Sequence, residues 1–116
     1  MKVTRIIPNL PAENPVETAA FYTAIFGLEV EHEMGWIAFL TGAAERPVRL
    51  QLASEGGSGT ELPVISIGVD DLDEALARAR AHGAEPVYGP VTEPWGVRRF
   101  YLRDPEGTLI NVVAHE

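Results

Sequence analysis

The feature that most constrains the fold of this chain is a repeated order of predicted elements. A strand, a helix and three strands are predicted over residues 1–54, and the same order returns over residues 63–116. An offset of 57 residues places Ile7 on Val64. A half of about 55 residues is marginal as a core of its own. The sequence therefore predicts one α+β domain, in which two β-α-β-β-β modules joined by a linker at residues 55–62 form a curved mixed sheet around a cavity.

Both helices have sequence signals at their ends. Asn14 can cap the first helix, Pro15 suits its first position, and Gly27 can close it in the left-handed conformation. Asp71 and Glu74 resemble a capping box at the start of the second helix. The side chains expected to be buried are Ala19, Tyr22, Ile25 and Phe26 in the first helix, and Leu72, Ala75, Leu76 and Ala79 in the second.

The end of the chain is predicted to be a β-hairpin. Residues 97–102 and 109–113 are rich in β-branched and aromatic side chains, which favour strands. Between them, Asp104 can accept hydrogen bonds within a turn, Pro105 fixes φ, and Gly107 tolerates a positive φ. The other predicted strands are residues 3–10, 28–33, 36–41, 48–53, 63–69 and 86–88. The glycine-rich linker is expected to be flexible, which is compatible with modules that pair within one chain or exchange between two chains.

The composition excludes several kinds of protein. The chain has no cysteine, so disulfides, thiolate metal sites and a cysteine nucleophile are excluded. The net charge of −8 opposes binding to nucleic acid and to anionic membranes. No apolar run approaches the roughly 18 residues of a membrane helix, and the first residues lead directly into a strand. A globular protein in the cytoplasm is therefore expected.

Strand alternation predicts which side chains line the cavity. One face of each half's sheet is uniformly apolar and is expected to lie under its helix. The opposite face mixes polar and apolar residues, which suits a small-molecule site; an exposed sheet face or a dimer interface would have a similar pattern. The polar and aromatic side chains expected on this second face are Asn9, Arg49, Gln51, Ser66, Arg99, Tyr101 and Asn111.

The chain resembles the vicinal oxygen chelate superfamily, which includes glyoxalase I, extradiol dioxygenases and bleomycin resistance proteins. The resemblance spans nearly the whole sequence. It rests on Phe21-Tyr22 and Phe26-Gly27-Leu28 in the first helix region, on Val69-Asp70-Asp71 before the second helix, and on Asp104-Pro105-Glu106-Gly107-Thr108-Leu109-Ile110 in the hairpin. It implies the tandem fold predicted above and is much less specific for activity.

The resemblance also implies where a metal ion would be held. Metal-dependent members of this superfamily carry a His or Glu early in each half's first strand and a Glu late in its last strand. The matching positions here are Ile7, Gln51, Val64 and Asn111. Two alkyl groups and two neutral amides are poor ligands for a divalent cation, so no metal or other cofactor is predicted. The histidines His32, His82 and His115 are interpreted as surface residues, although alternation allows His115 to reach the mouth of the cavity.

The resemblance is greatest to the metal-free branch that binds bleomycin, because of the Trp95-Gly96 segment before the seventh strand. Members of this branch form homodimers, so a homodimer is expected. Trp36, Tyr88, Trp95 and Tyr101 are then the aromatic platforms for a flat cationic compound. The function predicted from the sequence is sequestration of a small aromatic or cationic molecule, such as an antibiotic.

Two other functions fit the same residues. The chain resembles a superfamily that also contains enzymes, and a lyase, isomerase or dioxygenase-like activity would need a positioned acid or base. Tyr101, Arg99 and His115 are the cavity-facing candidates for that role. A dimeric scaffold without a small ligand is the third possibility.

Overall fold

A computed structural model describes residues 1–42 and 48–115 of the chain. It contains the elements β1 (Val3–Pro11), α1 (Pro15–Phe26), β2 (Glu29–Glu33), β3 (Ile37–Gly42), β4 (Val48–Ala53), β5 (Ile65–Val69), α2 (Leu72–Ala81), β6 (Tyr88–Glu93), β7 (Val97–Arg103) and β8 (Leu109–His115). The fold is α+β with mixed strand pairing, and the predicted order β-α-β-β-β occurs twice. Neither helix of the described residues has the length and apolar character needed to cross a membrane.

The chain divides into two compact units. The N-terminal unit is Ile7–Leu62, and the C-terminal unit combines Met1–Ile6 with Pro63–Glu116. In the N-terminal unit, β3 pairs antiparallel with β2 and β4, and β4 pairs in parallel with the end of β1. In the C-terminal unit, β8 pairs in parallel with β5 and antiparallel with β7, which in turn pairs with β6.

Each unit packs one helix on one face of its strands. Around α1 the core consists of Ala12, Ala19, Ala38, Leu40 and Leu52, with Tyr22, Leu28 and Leu50 packed against it. Around α2 it consists of Val69, Leu72, Phe100 and Val112, with Ile67, Ala75, Leu76, Leu102, Ile110 and Ala114. In both units the opposite strand face is therefore turned away from the helix, as strand alternation predicts.

The helix ends agree with the predicted capping residues. The Asn14 side chain accepts a hydrogen bond from the Glu17 N–H at 3.3 Å, and Gly27 closes α1 at φ 68°. Asp71 likewise accepts from the Glu74 N–H at 3.0 Å. The predicted burial of Ile25 and Phe26 is wrong, since these side chains are 58% and 64% exposed. Along α1, Pro15 and Ala19 are fully buried and Tyr22 is half-buried.

The sixth strand also differs from the sequence-based expectation. The sixth strand was expected around residues 86–88 but extends from Tyr88 to Glu93. It includes Pro90, which is tolerated because β6 pairs on one side only, with β7. Residues 55–62 contain a hydrogen-bonded turn, in which the Gly56 N–H donates to the Thr60 carbonyl at 2.8 Å and the Glu55 carboxylate accepts from the Gly59 N–H at 3.1 Å.

Candidate functional site

On the strand face away from α2, four side chains form a row across the C-terminal unit. Ser66 on β5 lies opposite Asn111 on β8, Asn111 lies opposite Tyr101 on β7, and Tyr101 lies opposite Tyr88 on β6. We call these four residues the C-terminal row. Ser66, Asn111 and Tyr101 are buried, and Tyr88 is half-buried. The sequence prediction that Ser66, Tyr101 and Asn111 share one face is confirmed by this register.

The two polar members of the row are hydrogen-bonded to each other. Asn111 Nδ2 donates to Ser66 Oγ at 3.0 Å in a buried position. Asn111 Oδ1 is also buried, and it has no hydrogen-bond partner among the residues that the structure describes. The rings of the two aromatic members, Tyr101 and Tyr88, are 4.9 Å apart between centroids. The row thus combines a polar half with an aromatic half.

Next to the row lies a buried ion pair enclosed by aromatic rings. Glu93 Oε2 accepts from Arg99 Nε at 2.8 Å and Nη2 at 2.5 Å, and from the Tyr88 hydroxyl at 3.1 Å. The Arg99 Cζ atom lies 4.9 Å from the ring centroid of Tyr101, 5.1 Å from that of Trp95 and 5.5 Å from that of Tyr88. We call Tyr88, Glu93, Trp95, Arg99 and Tyr101 the Arg99 cluster. The charges of Glu93 and Arg99 balance each other, and the three aromatic rings surround the Arg99 guanidinium.

Glu93 is the member of this cluster that the sequence analysis missed. Strict alternation places Tyr88 and Glu93 on opposite faces because five positions separate them. The strand pairing of β6 shifts register between Tyr88 and Val91, and this irregularity turns both side chains toward Arg99. Gly89 makes the shift possible: its φ is 74°, and a Cβ at this position would lie 2.6 Å from the Arg99 carbonyl oxygen. The Gly89-Pro90 pair directly after the predicted strand at residues 86–88 was the available signal.

The N-terminal unit carries a similar row on the face away from α1. Asn9 on β1 lies opposite Gln51 on β4, Gln51 lies opposite Phe39 on β3, and Phe39 lies opposite His32 on β2. We call these residues the N-terminal row. Asn9 is buried, Gln51 and Phe39 are half-buried, and His32 is exposed with its ring stacked on Phe39 at 5.9 Å. Here too two polar residues are followed by two aromatic ones.

The other two predicted ligand-binding residues of this unit lie outside the N-terminal row. Arg49 is exposed on β4 and pairs with Glu31 at 3.2 Å. Trp36 is half-buried in the turn between β2 and β3, where its carbonyl accepts the Ser54 N–H at 2.9 Å. Their participation in ligand binding stays a prediction.

His115 lies at the end of β8 beside the first strand. Its Nε2 is 2.6 Å from Arg5 Nη2, a geometry in which the guanidinium donates and a neutral imidazole accepts. Lost hydration, followed by the positive charge of Arg5, lowers the pKa of His115 from its ordinary value.

The four positions that match the metal ligands of the family do not fit a divalent cation. Ile7 is buried and Val64 is exposed, and both offer only alkyl groups. Gln51 and Asn111 offer neutral amides, and the amide nitrogen of Asn111 is bonded to Ser66. Within residues 1–42 and 48–115, no three His, Asp or Glu side chains come together. No step through a metal ion is therefore derived for this protein.

Comparison with known proteins assigns the family. The model of the glyoxalase/bleomycin resistance protein/dioxygenase superfamily matches residues 5–112, and the chain belongs to that superfamily. A bleomycin resistance protein of Klebsiella pneumoniae is 28% identical over 119 residues, which cover 94% of this chain and 90% of the relative. The resemblance inferred from the sequence is confirmed.

Two solved structures illustrate how widely this fold is used. The methylmalonyl-CoA epimerase of Streptomyces coelicolor has a TM-score of 0.73 and 25% identity, covering 98% of this chain and 99% of the enzyme. A superfamily member from Vibrio splendidus has a TM-score of 0.66 and 17% identity, covering 97% and 98% of the two chains. The proteins similar to this chain thus include an enzyme and a resistance protein.

Proposed function

We propose that this protein is a metal-free small-molecule-binding protein that sequesters an aromatic compound, such as an antibiotic, on the strand face that carries the C-terminal row. The observation that carries the proposal is the set of buried polar side chains on this face. Ser66, Glu93, Arg99 and Asn111 are all at most 8% exposed. Buried polar groups in fixed positions, surrounded by aromatic rings, are the usual lining of a small-molecule site.

The family match supports this proposal. Its relative in Klebsiella pneumoniae is a bleomycin resistance protein, so bleomycin is the first compound to test. Trp95 and Tyr101 are also proposed for this site. Asn9, Trp36, Arg49 and Gln51 are proposed as ligand-binding residues of the N-terminal unit.

Thermal denaturation in the presence of bleomycin and a panel of flat aromatic compounds tests the proposal. A compound present at about 100 times its Kd stabilises the folded state by about 2.7 kcal/mol, which raises the melting temperature of a domain of this size by roughly 10 °C. The shift should become smaller in Trp95→Ala, because the half-buried indole packs against the Arg99 guanidinium. A panel without any stabilising compound would contradict the proposal and favour a scaffold role.

An enzyme is the second candidate function, and one contact favours it. The Tyr88 hydroxyl donates to the buried Glu93 carboxylate at 3.1 Å, which pairs a possible acid with a possible base. The similarity to methylmalonyl-CoA epimerase suggests the first substrate to try. Incubation of methylmalonyl-CoA with the protein in D₂O, followed by NMR, would detect exchange of its acidic C–H. Exchange that disappears in Glu93→Gln and Tyr88→Phe would establish the enzyme; no exchange would leave the binding proposal preferred.

We also propose that the protein acts in the cytoplasm as a homodimer. Exposed apolar side chains on α1, among them Phe21, Ile25 and Phe26, support association with a second copy. Light scattering coupled to size-exclusion chromatography measures the mass directly. A value near 12.6 kDa, the mass of one chain, would contradict the dimer.

A further inference from the structure

The hydrogen-bonding state of Asn111 bears on the kind of ligand that the proposed site takes. Asn111 Nδ2 donates to Ser66 Oγ at 3.0 Å. Its Oδ1 is buried, and none of the residues in the ranges 1–42 and 48–115 donates a hydrogen bond to it. A buried carbonyl oxygen has lost its water partners, and folded proteins nearly always replace them. Asn111 therefore presents one acceptor that a bound molecule can satisfy.

The neighbours of Asn111 restrict the shape of such a molecule. Tyr101 and Ser66 are its directly opposite cross-strand neighbours. Across the antiparallel pair of β7 and β8, this relationship places the Cβ atoms of Tyr101 and Asn111 about 5 Å apart. The Tyr101 ring contacts the Tyr88 ring, and the two ring centroids are 4.9 Å apart. A flat group that contacts Asn111 therefore lies beside an aromatic surface, where offset or edge-to-face contacts are favourable.

The charges of the same unit argue against a cation. The rings of Tyr88, Trp95 and Tyr101 surround the guanidinium of Arg99, so a position suited to a ligand cation is filled by the protein itself. The Arg99 and Glu93 side chains are only 4% and 3% exposed. A cation that took this position would leave the buried Arg99 without its carboxylate, which is strongly unfavourable.

From these contacts we propose that the ligand is an uncharged, planar molecule that donates an N–H or O–H hydrogen bond to Asn111 Oδ1. An aromatic carboxamide or a lactam is the simplest chemistry of this class. The inference rests on the binding function proposed above and specifies its ligand. It differs from the flat cationic compound that the family resemblance implies.

Three aromatic compounds of similar size test the inference on the wild-type protein. Benzamide is uncharged and carries N–H donors, benzamidine has nearly the same shape with a positive charge, and methyl benzoate is uncharged without an N–H donor. Titration of ¹⁵N-labelled protein with each compound, followed by NMR, gives the three Kd values. We expect benzamide to bind at least about tenfold more tightly than the other two compounds. A difference of about tenfold in Kd is the size of effect expected from one buried hydrogen bond. The Asn111 side-chain amide signals should move with benzamide.

The outcomes separate this inference from the proposed function. Tighter binding of benzamidine than of benzamide would overturn the uncharged class while leaving small-molecule binding intact. Equal binding of benzamide and methyl benzoate would overturn the hydrogen bond to Asn111. Absence of binding by all three compounds would also overturn the ligand class, and the broader panel then decides the binding function separately.

Variants of Asn111 sharpen the test. Asn111→Leu keeps the approximate size and removes the acceptor, so benzamide affinity should fall about tenfold. Asn111→Asp keeps the shape and adds a negative charge, so benzamidine should become the preferred compound. Thr92→Leu is the control, because Thr92 is exposed on β6 of the same unit and should leave benzamide affinity unchanged. An unchanged benzamide Kd in a folded Asn111→Leu protein would contradict the inference.

Discussion

The two units carry comparable rows of side chains but bury them differently. In the N-terminal row only Asn9 is buried, and His32 is exposed. In the C-terminal row Ser66, Asn111 and Tyr101 are all buried. Hydrogen bonds are stronger where water is excluded, and a polar group without a hydrogen-bond partner is more costly there. We therefore expect the polar residues of the C-terminal row to select a ligand more strictly than those of the N-terminal row.

The arginine–glutamate pairs of the two units differ in the same way. Arg49 and Glu31 are 3.2 Å apart with side chains 40% and 51% exposed. Arg99 and Glu93 are 2.5 Å apart with side chains 4% and 3% exposed. Water and salt screen the first pair, whereas the second depends on its partners and surrounding rings. The largest expected effect of mutation follows from this difference.

Removal of Glu93 should destabilise the protein more than any other change considered. Glu93→Ala leaves Arg99 as a buried charge without its carboxylate, and we expect a loss of about 3–5 kcal/mol in the free energy of unfolding. Glu31→Ala breaks the exposed pair of the N-terminal unit and should cost less than about 1 kcal/mol. Urea denaturation measures both values. Equal losses would contradict the distinction between the two pairs.

Substitution of Gly89 should have the next largest effect. In Gly89→Ala the new Cβ would lie 2.6 Å from the Arg99 carbonyl oxygen, and the positive φ of 74° adds strain. We expect a loss of roughly 2–3 kcal/mol. Gly83→Ala is the matched control, because Gly83 also has a positive φ but has open space around the Cβ position; it should cost about 1 kcal/mol. The two variants can be compared in the same urea experiments. If Gly89→Ala costs no more stability than Gly83→Ala, the backbone around Gly89 moves to accommodate the new Cβ, and the close contact with the Arg99 carbonyl oxygen does not restrict this position.

The helix caps should have similar, smaller effects in the two units. Asn14→Ala and Asp71→Ala each remove one hydrogen bond to a first-turn N–H. Each should lower the free energy of unfolding by about 1 kcal/mol. Chemical denaturation of both variants measures the two losses. A loss in one variant several times that in the other would mean that the capped helices do not contribute equally.

The smallest predicted effect is a pH dependence that arises from His115. Its pKa is lowered in the folded state, so the unfolded state takes up the proton first as the pH falls. The stability that neutral His115 contributes is present above about pH 6.5, and it decreases as the pH falls from there through the folded-state pKa. Denaturation curves for wild type and His115→Gln should diverge in that range. Parallel pH profiles would exclude this effect.

Local sequence signals predicted much of the fold. The caps at Asn14 and Asp71 depend on residues within one helical turn, and the closing turn depends on Asp104, whose Oδ1 accepts the N–H groups of Glu106 and Thr108 at 2.9 Å each. Such contacts are encoded over a few positions. The face on which each side chain lies also followed from alternation where the strands pair regularly, as on β8.

Features that depend on irregular strand pairing or on the packing of side chains from neighbouring elements were not predicted. Glu93 enters the Arg99 cluster through the register shift at Gly89, which reverses the face that alternation assigns. The sequence also predicts Trp95 and Tyr101 as aromatic platforms, but it does not indicate that the Arg99 guanidinium lies against both rings. Side-chain packing of this kind depends on how β6, β7 and the turn between them pack together, and strand alternation alone does not specify it.

The most direct test of the account compares the two rows in one ligand titration. Benzamide affinity is measured by NMR for wild type, Asn111→Leu in the C-terminal row and Gln51→Leu in the N-terminal row. The account predicts that Asn111→Leu weakens binding about tenfold and that Gln51→Leu has a smaller effect, of about twofold or less. A larger loss in Gln51→Leu than in Asn111→Leu would contradict the claim that the buried C-terminal row binds the ligand.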